Sequence, residues 1–125
     1  MGVGDNYIGG TTAAARNVIG GNGGYGIWLA YADRMQVQGN YIGVGANGIA
    51  PVGNGATGIV IYANRNVIGG TAPGAGNTIA NAGPGGGPTV FLYSGVRVES
   101  GTGNVVRGNA LYANFGQALD LLGGT

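Results

Sequence analysis

Asn66-Val67-Ile68-Gly69-Gly70-Thr71 is followed, a few residues on, by Asn77-Thr78-Ile79. An earlier stretch has the same plan, Asn6-Tyr7-Ile8-Gly9-Gly10-Thr11 and then Asn17-Val18-Ile19. In both, the second Asn-x-Ile begins eleven residues after the first, and the two copies lie 60 residues apart. Agreement at so many positions marks internal repetition. Such a unit buries its apolar face only by stacking on its neighbours.

Working outward, Gly26-Ile27-Trp28-Leu29 alternates like a strand, with Ile27 and Leu29 on one face and Trp28 on the other. The pattern returns as Gly58-Ile59-Val60-Ile61, Thr89-Val90-Phe91-Leu92 and Ala118-Leu119-Asp120-Leu121, at offsets of 32, 31 and 29 residues. Each interval holds two further apolar pulses: Val37 and Ile42, then Ile68 and Ile79, then Val98 and Val106. No run keeps a 3.6-residue period, and glycine throughout opposes helices. The reading is an all-β parallel β-solenoid of about four coils, each of roughly 30 residues and three short strands, forming one domain over residues 1–125.

Three inner walls are expected. Ile27/Leu29, Ile59/Ile61, Val90/Leu92 and Leu119/Leu121 line the first; Ile8, Val37, Ile68 and Val98 the second; Ile19, Ile42, Ile79 and Val106 the third. Val106 and Leu111 resemble Val37 and Ile42 in local sequence, so the register over 98–111 is open to a slip of one wall. Asn17, Asn77 and Asn104 each precede an apolar pulse. They are candidates for one stacked amide ladder, the alternative being simple turn formers.

Composition fits and excludes. Glycine is 31 of 125 residues, but it follows no three-residue period and proline numbers four, which rules out collagen. The hydrophobic share of 44% opposes a disordered glycine-rich chain. Five arginines against three aspartates and one glutamate give a net charge of +1, no electrostatic footprint for nucleic acid. No apolar run approaches the roughly 20 residues of a membrane span, so membrane insertion is not expected.

These residues bring a family into view. The chain resembles the right-handed parallel β-helix repeats of the pectate-lyase-like superfamily. It is especially similar to the Gly/Asn-rich repeat regions of secreted or surface-attached bacterial proteins. The matching segments are 6–11, 15–22, 26–29, 39–43, 53–58, 66–77, 103–114 and 118–121. The resemblance implies right-handedness, an extracellular or cell-surface location and a possible polysaccharide partner. It implies no single activity, because that superfamily includes lyases, hydrolases, epimerases, tailspikes and adhesins.

Catalytic, cofactor and metal residues are all read as none. Cysteine, histidine and lysine are absent, and Asp5, Asp33, Glu99 and Asp120 fall on different coils and walls. Asp120 stands in the outward column of Trp28, Val60 and Phe91, with no second carboxylate beside it. Ser94 and Ser100 have no histidine or lysine to activate them. Asp33 and Arg65 each lie six residues past a strand start, Ile27 and Ile59, and are expected to stack as a surface ion pair. The main surface feature is an aromatic stripe of Trp28, Tyr31, Tyr62, Phe91 and Tyr93, the tyrosines recurring every 31 residues. It is a candidate contact for glycan or protein, or a ladder that packs on itself. The loop 43–57 carries no ionisable group, and its Ile49 and Val52 are expected to fold back on the outer surface.

No terminal cap is evident, and Leu121-Leu122-Gly123-Gly124-Thr125 resembles the start of another turn. The expectation is a non-enzymatic structural or adhesive β-helix that self-associates through open ends into filaments, or a segment of a longer solenoid. The alternatives are a fragment that binds or processes polysaccharide, and an inert truncated repeat region.

Overall fold

The computed structural model describes residues 6–83 and 93–121. Twelve short strands follow one another: β1 (Asn6–Gly9), β2 (Val18–Ile19), β3 (Ile27–Ala30), β4 (Met35–Gln38), β5 (Tyr41–Ile42), β6 (Ile59–Tyr62), β7 (Val67–Gly69), β8 (Thr78–Ala80), β9 (Val96–Ser100), β10 (Val105–Arg107), β11 (Ala110–Tyr112) and β12 (Leu119–Leu121). A single 3₁₀ turn, Ala13–Ala15, is the only helix among the described residues.

The strands form three parallel four-stranded sheets. Their orders are β1-β4-β7-β10, β2-β5-β8-β11 and β3-β6-β9-β12, so every third strand pairs and each round of three makes one level. This is the connectivity of a parallel β-solenoid. Side chains alternate across each strand, and one set from each sheet meets in a common core. Ile27, Leu29, Val37, Ile42, Ile59, Ile61, Ile68, Ile79, Val96 and Val98 are buried there, with Ile8, Ile19, Val106 and Leu111 packed partly buried against them.

The register corrects the expected walls after residue 81. Ile59 pairs with Val96 and Ile61 with Val98, which moves Val98 from the second wall into the first. Val106 then stands against Ile68, and Leu111 takes the place beside Ile79. Val90 and Leu92, expected in the first wall, lie outside the described residues. The chain offers two alternating stretches, 89–92 and 96–100, and pairing with β6 falls to the second. The register also shifts between Ile61 and Tyr62, so that Tyr62 faces Ser100.

The connections explain the glycine content. From first sheet to second they span eight residues (10–17), two (39–40), eight (70–77) and two (108–109), so long and short alternate level by level. Levels are only about 4.8 Å apart, and at this corner each inner two-residue turn is closed in by the long loops next to it. Gly39, at φ +67°, shows the constraint: a Cβ there would lie 2.0 Å from the Gly10 carbonyl oxygen and 3.0 Å from that of Gly74. The long loops of the first and third levels meet across it, Gly74 closing on the Thr11 carbonyl. Only a residue without a side chain fits between them.

Asparagines tie these corners together. Asn17 donates its backbone N–H and its Nδ2 to Asn40 Oδ1, both at 3.1 Å. Asn40 does the same to Asn77 at 2.9 and 3.0 Å, and Asn77 to Asn109 at 2.9 Å each. The amides also reach back, Asn40 to the Ile8 carbonyl and Asn77 to that of Val37. Asn17 and Asn77 therefore share a corner as expected, but Asn104 does not. It stands in a second column, accepting from Asn66 N–H and Nδ2 at 3.0 and 3.2 Å. The displacement has the same cause as the slipped walls, since Asn104 precedes β10 and not β11.

Candidate functional site

The outer face of the third sheet carries the densest side-chain chemistry. Pairing places Trp28, Val60, Arg97 and Asp120 in one outward column. Arg97 occupies the place expected for Phe91, which lies outside the described residues. Arg97 is buried, and its guanidinium donates Nε–H to Glu99 and Nη1 to Asp120 Oδ2 at 3.2 Å. Asp120 thus does share its surroundings with a second carboxylate, contrary to the sequence-based expectation. Glu99 lies two residues from Arg97 on the same face of β9, and the cation spans both acids. The cluster pins β12 to β9, and removing the arginine would leave two acids facing each other.

Beside it sits an aromatic group. Trp28 meets Tyr62 with ring centres 6.3 Å apart at 66°, and meets Tyr25 at 6.2 Å and 61°. Both are edge-to-face contacts, favoured by the ring quadrupoles. Trp28, Ala30, Tyr31, Tyr62 and Ser100 line a shallow cleft of about 440 Å³. Trp28 remains 62% exposed, and Tyr31 is fully exposed at a corner with φ +57°. Burial raises the Tyr62 hydroxyl above its ordinary pKa; Glu99 and Tyr25 push the same way and Arg97 opposes them.

Three members of the expected stripe, Trp28, Tyr31 and Tyr62, are therefore brought together. Tyr93 is not with them: it is buried and packs edge-on against Phe115 at 5.6 Å. The 31-residue tyrosine spacing misleads here, because β9 begins 37 residues after β6. Tyr25 was missed, since it precedes its strand and falls outside the alternation. Its position just ahead of Gly26-Ile27-Trp28 was the available signal.

Around the corner, Asn6, Tyr31, Ala32, Asp33, Arg34, Met35 and Arg65 line a second depression of about 480 Å³. Asp33 and Arg65 share it, but the partner of Asp33 is Asn64, whose backbone N–H reaches Oδ1 at 2.7 Å. Among the described residues the ion pairs are those of Arg97, and Asp33 with Arg65 is not one of them. The physical reason is register: the corner shortens by one residue between the first two levels, which brings Asn64 opposite Asp33. Asn64 in turn accepts from the Thr102 N–H at 3.0 Å, extending this column by one level.

In the loop 43–57, Val44 bridges Pro51 antiparallel and the Val52 carbonyl accepts from Gly21 N–H at 3.3 Å. Val52 therefore lies against the first level, whereas Ile49 stays 77% exposed. Arg16 stacks over the Tyr41 ring at 4.1 Å beneath this loop.

Neither a family model, nor a curated protein, nor a solved structure matches the chain.

Proposed function

We propose that this chain is a structural or adhesive β-helix, extracellular or on the cell surface, that performs no chemistry of its own and self-associates end to end into filaments. In this reading the levels are four coils of a right-handed helix like the pectate-lyase-like repeats. The observation that carries it is the state of the terminal strands. β1, β2 and β3 at one end, and β10, β11 and β12 at the other, each have a single strand partner among the described residues. Open edges of this kind template further strands. Leu119 and Leu121 add exposed apolar area at one end and Val18 at the other. Nine charged side chains in 125 residues offer little repulsion between copies. Sedimentation across a concentration series, with electron microscopy of the same samples, tests the reading. Particle mass should grow with concentration and filaments one solenoid wide should appear; a monomer at every concentration would refute it.

A second reading rests on the Trp28–Tyr31–Tyr62 cleft, whose exposed rings suit stacking on sugar rings. It expects Trp28 fluorescence to change with a panel of neutral and uronate polysaccharides, and the change to vanish in Trp28→Ala. Silence across the panel leaves the rings as a self-packed ladder.

A further inference from the structure

The asparagine columns have a direction. In three corner columns the earlier residue donates wherever a later asparagine stands to accept, whereas the Asp33, Asn64 and Thr102 column runs the opposite way. Asn17, Asn40 and Asn77 donate onward in one column. Met35 N–H and Asn66 donate onward in the second. Asn22 and Ala82 N–H donate to Asn54 and Asn114 in the third, at 3.3 and 3.0 Å. The last level therefore ends in donors. Asn104, Asn109 and Asn114 have their Oδ1 atoms filled from the level before, and their Nδ2 groups turned back to the carbonyls of Ala63, Ile68 and Ile79. Their backbone N–H groups have no partner among the described residues. The first level begins in acceptors. Asn6 stands in the column of Met35, Asn66 and Asn104 through its pairing with Met35. Asn17 and Asn22 head the other two, and all three are exposed.

Connection lengths match in the same sense. The last level has the two-residue turn Gly108-Asn109, and a Cβ on Gly108 would lie 2.2 Å from the Gly70 carbonyl on one side. The equivalent Gly39 is enclosed on both sides, by the loops 10–17 and 70–77, and donates its N–H to the Ala75 carbonyl at 3.0 Å. What the open side of Gly108 lacks is a long loop of that type. The first level has one, 10–17, with Ala15 where the third level has Ala75. At the corner between second and third sheets, the two end levels have the short connections, seven residues (20–26) and six (113–118), against sixteen (43–58) and fifteen (81–95) inside. Two short corners can meet without collision.

We infer that the last level of one copy docks on the first level of the next in the register by which the second level meets the third. This rests on the end-to-end reading above and specifies its interface. β10, β11 and β12 pair in parallel with the next copy's β1, β2 and β3. The N–H groups of Asn104, Asn109 and Asn114 bind Oδ1 of its Asn6, Asn17 and Asn22, and Gly108 N–H binds its Ala15 carbonyl. The contact joins two different surfaces, so it repeats without closing and yields a polar fibre.

Cross-linking reads this register directly, because the chain has no cysteine of its own. Tyr7, Gln36, Val67 and Val105 share one outward column. The docking puts Val105 of one copy beside Tyr7 of the next, at the Cα spacing a disulfide spans. A chain carrying Tyr7→Cys and Val105→Cys should give a ladder of covalent multimers on oxidation of the assembled protein. One carrying Tyr7→Cys and Tyr112→Cys, on different sheets, should give none. Filaments in which the first pair fails to cross-link would overturn the register and leave the end-to-end reading standing. No filaments from any variant, or from the unaltered chain, would overturn both. Blocking the donor end supplies a second arm. Ile27, Ile59 and Val96 each donate N–H to the following level, so Leu119 N–H, in the same column, faces the next copy. Leu119→Pro removes that donor from an edge strand that tolerates proline and should raise the assembly concentration about tenfold. Asn17→Ala does the same from the acceptor end, and unchanged assembly in both would overturn the proposed contacts.

Discussion

The corner asparagines of the inner levels and those of the end levels are the same residue in the same geometry, yet they live in different solvents. Asn40, Asn54, Asn66 and Asn77 are essentially inaccessible, while Asn17 and Asn22 are exposed and Asn109 and Asn114 half-buried. Inside, the amides of Asn40, Asn66 and Asn77 are held by a level on either side. At the ends one side of the amide is open. An amide hydrogen bond contributes about 1 kcal/mol net, but a buried group left without its partner costs about 1–3 kcal/mol. One repeated motif is thus a structural clamp in the middle of the stack and an amide with one side open at the ends of the described levels.

Substitutions break the comparison in order of burial. Asn77→Ala should destabilise most, by about 3 kcal/mol in chemical denaturation, because Asn40 N–H and the Val37 carbonyl lose their partner where water does not reach. Asn109→Ala should cost about 1 kcal/mol in the isolated chain, since water can replace part of what Asn77 loses. Asn17→Ala should cost about 0.5 kcal/mol or less there, its exposed Nδ2 making one bond to Asn40. If all three cost the same, burial is not what separates inner corners from outer ones. Ser94→Ala sharpens the contrast from the other side. Its hydroxyl is buried without a hydrogen-bond partner among the described residues, so removing it should leave stability unchanged or raise it by about 1 kcal/mol. The smallest effect concerns Tyr62. Its pKa is raised in the folded chain, so the associated stability is complete below the unfolded tyrosine value of about 10. It is lost as pH rises through the folded value. Denaturation midpoints should fall in that alkaline window, and less so in Tyr62→Phe.

Much of this was legible beforehand. The Asn-x-Ile and Gly-Gly-Thr copies, and the alternation at 26–29 and 58–61, led to parallel strands stacked in three walls, and through residue 81 those walls match the structure. Beyond it the reading slipped. Strand signals at 89–92 and 96–100 are locally equivalent, and only pairing with β6 separates them. An arginine in the middle of Val96-Arg97-Val98 looks like a solvated outward residue. That it is buried between Glu99 and Asp120 depends on residues brought together across two levels. Trp28, Tyr31 and Tyr62, which precede the slip, line one cleft, whereas Tyr93, which follows it, packs against Phe115.

The sequence by itself determined the kind of object this is. Period-two apolar pulses parted by Gly and Asn leave few ways to bury Ile, Val and Leu other than stacking strands in parallel. Tertiary structure alone decided which pulse joins which sheet, because register is a choice among locally similar strands made by the whole stack. It also decided the sense of the asparagine columns. An amide reads the same in either direction along a sequence, and acquires a donor side and an acceptor side only when a level lies above it and another below.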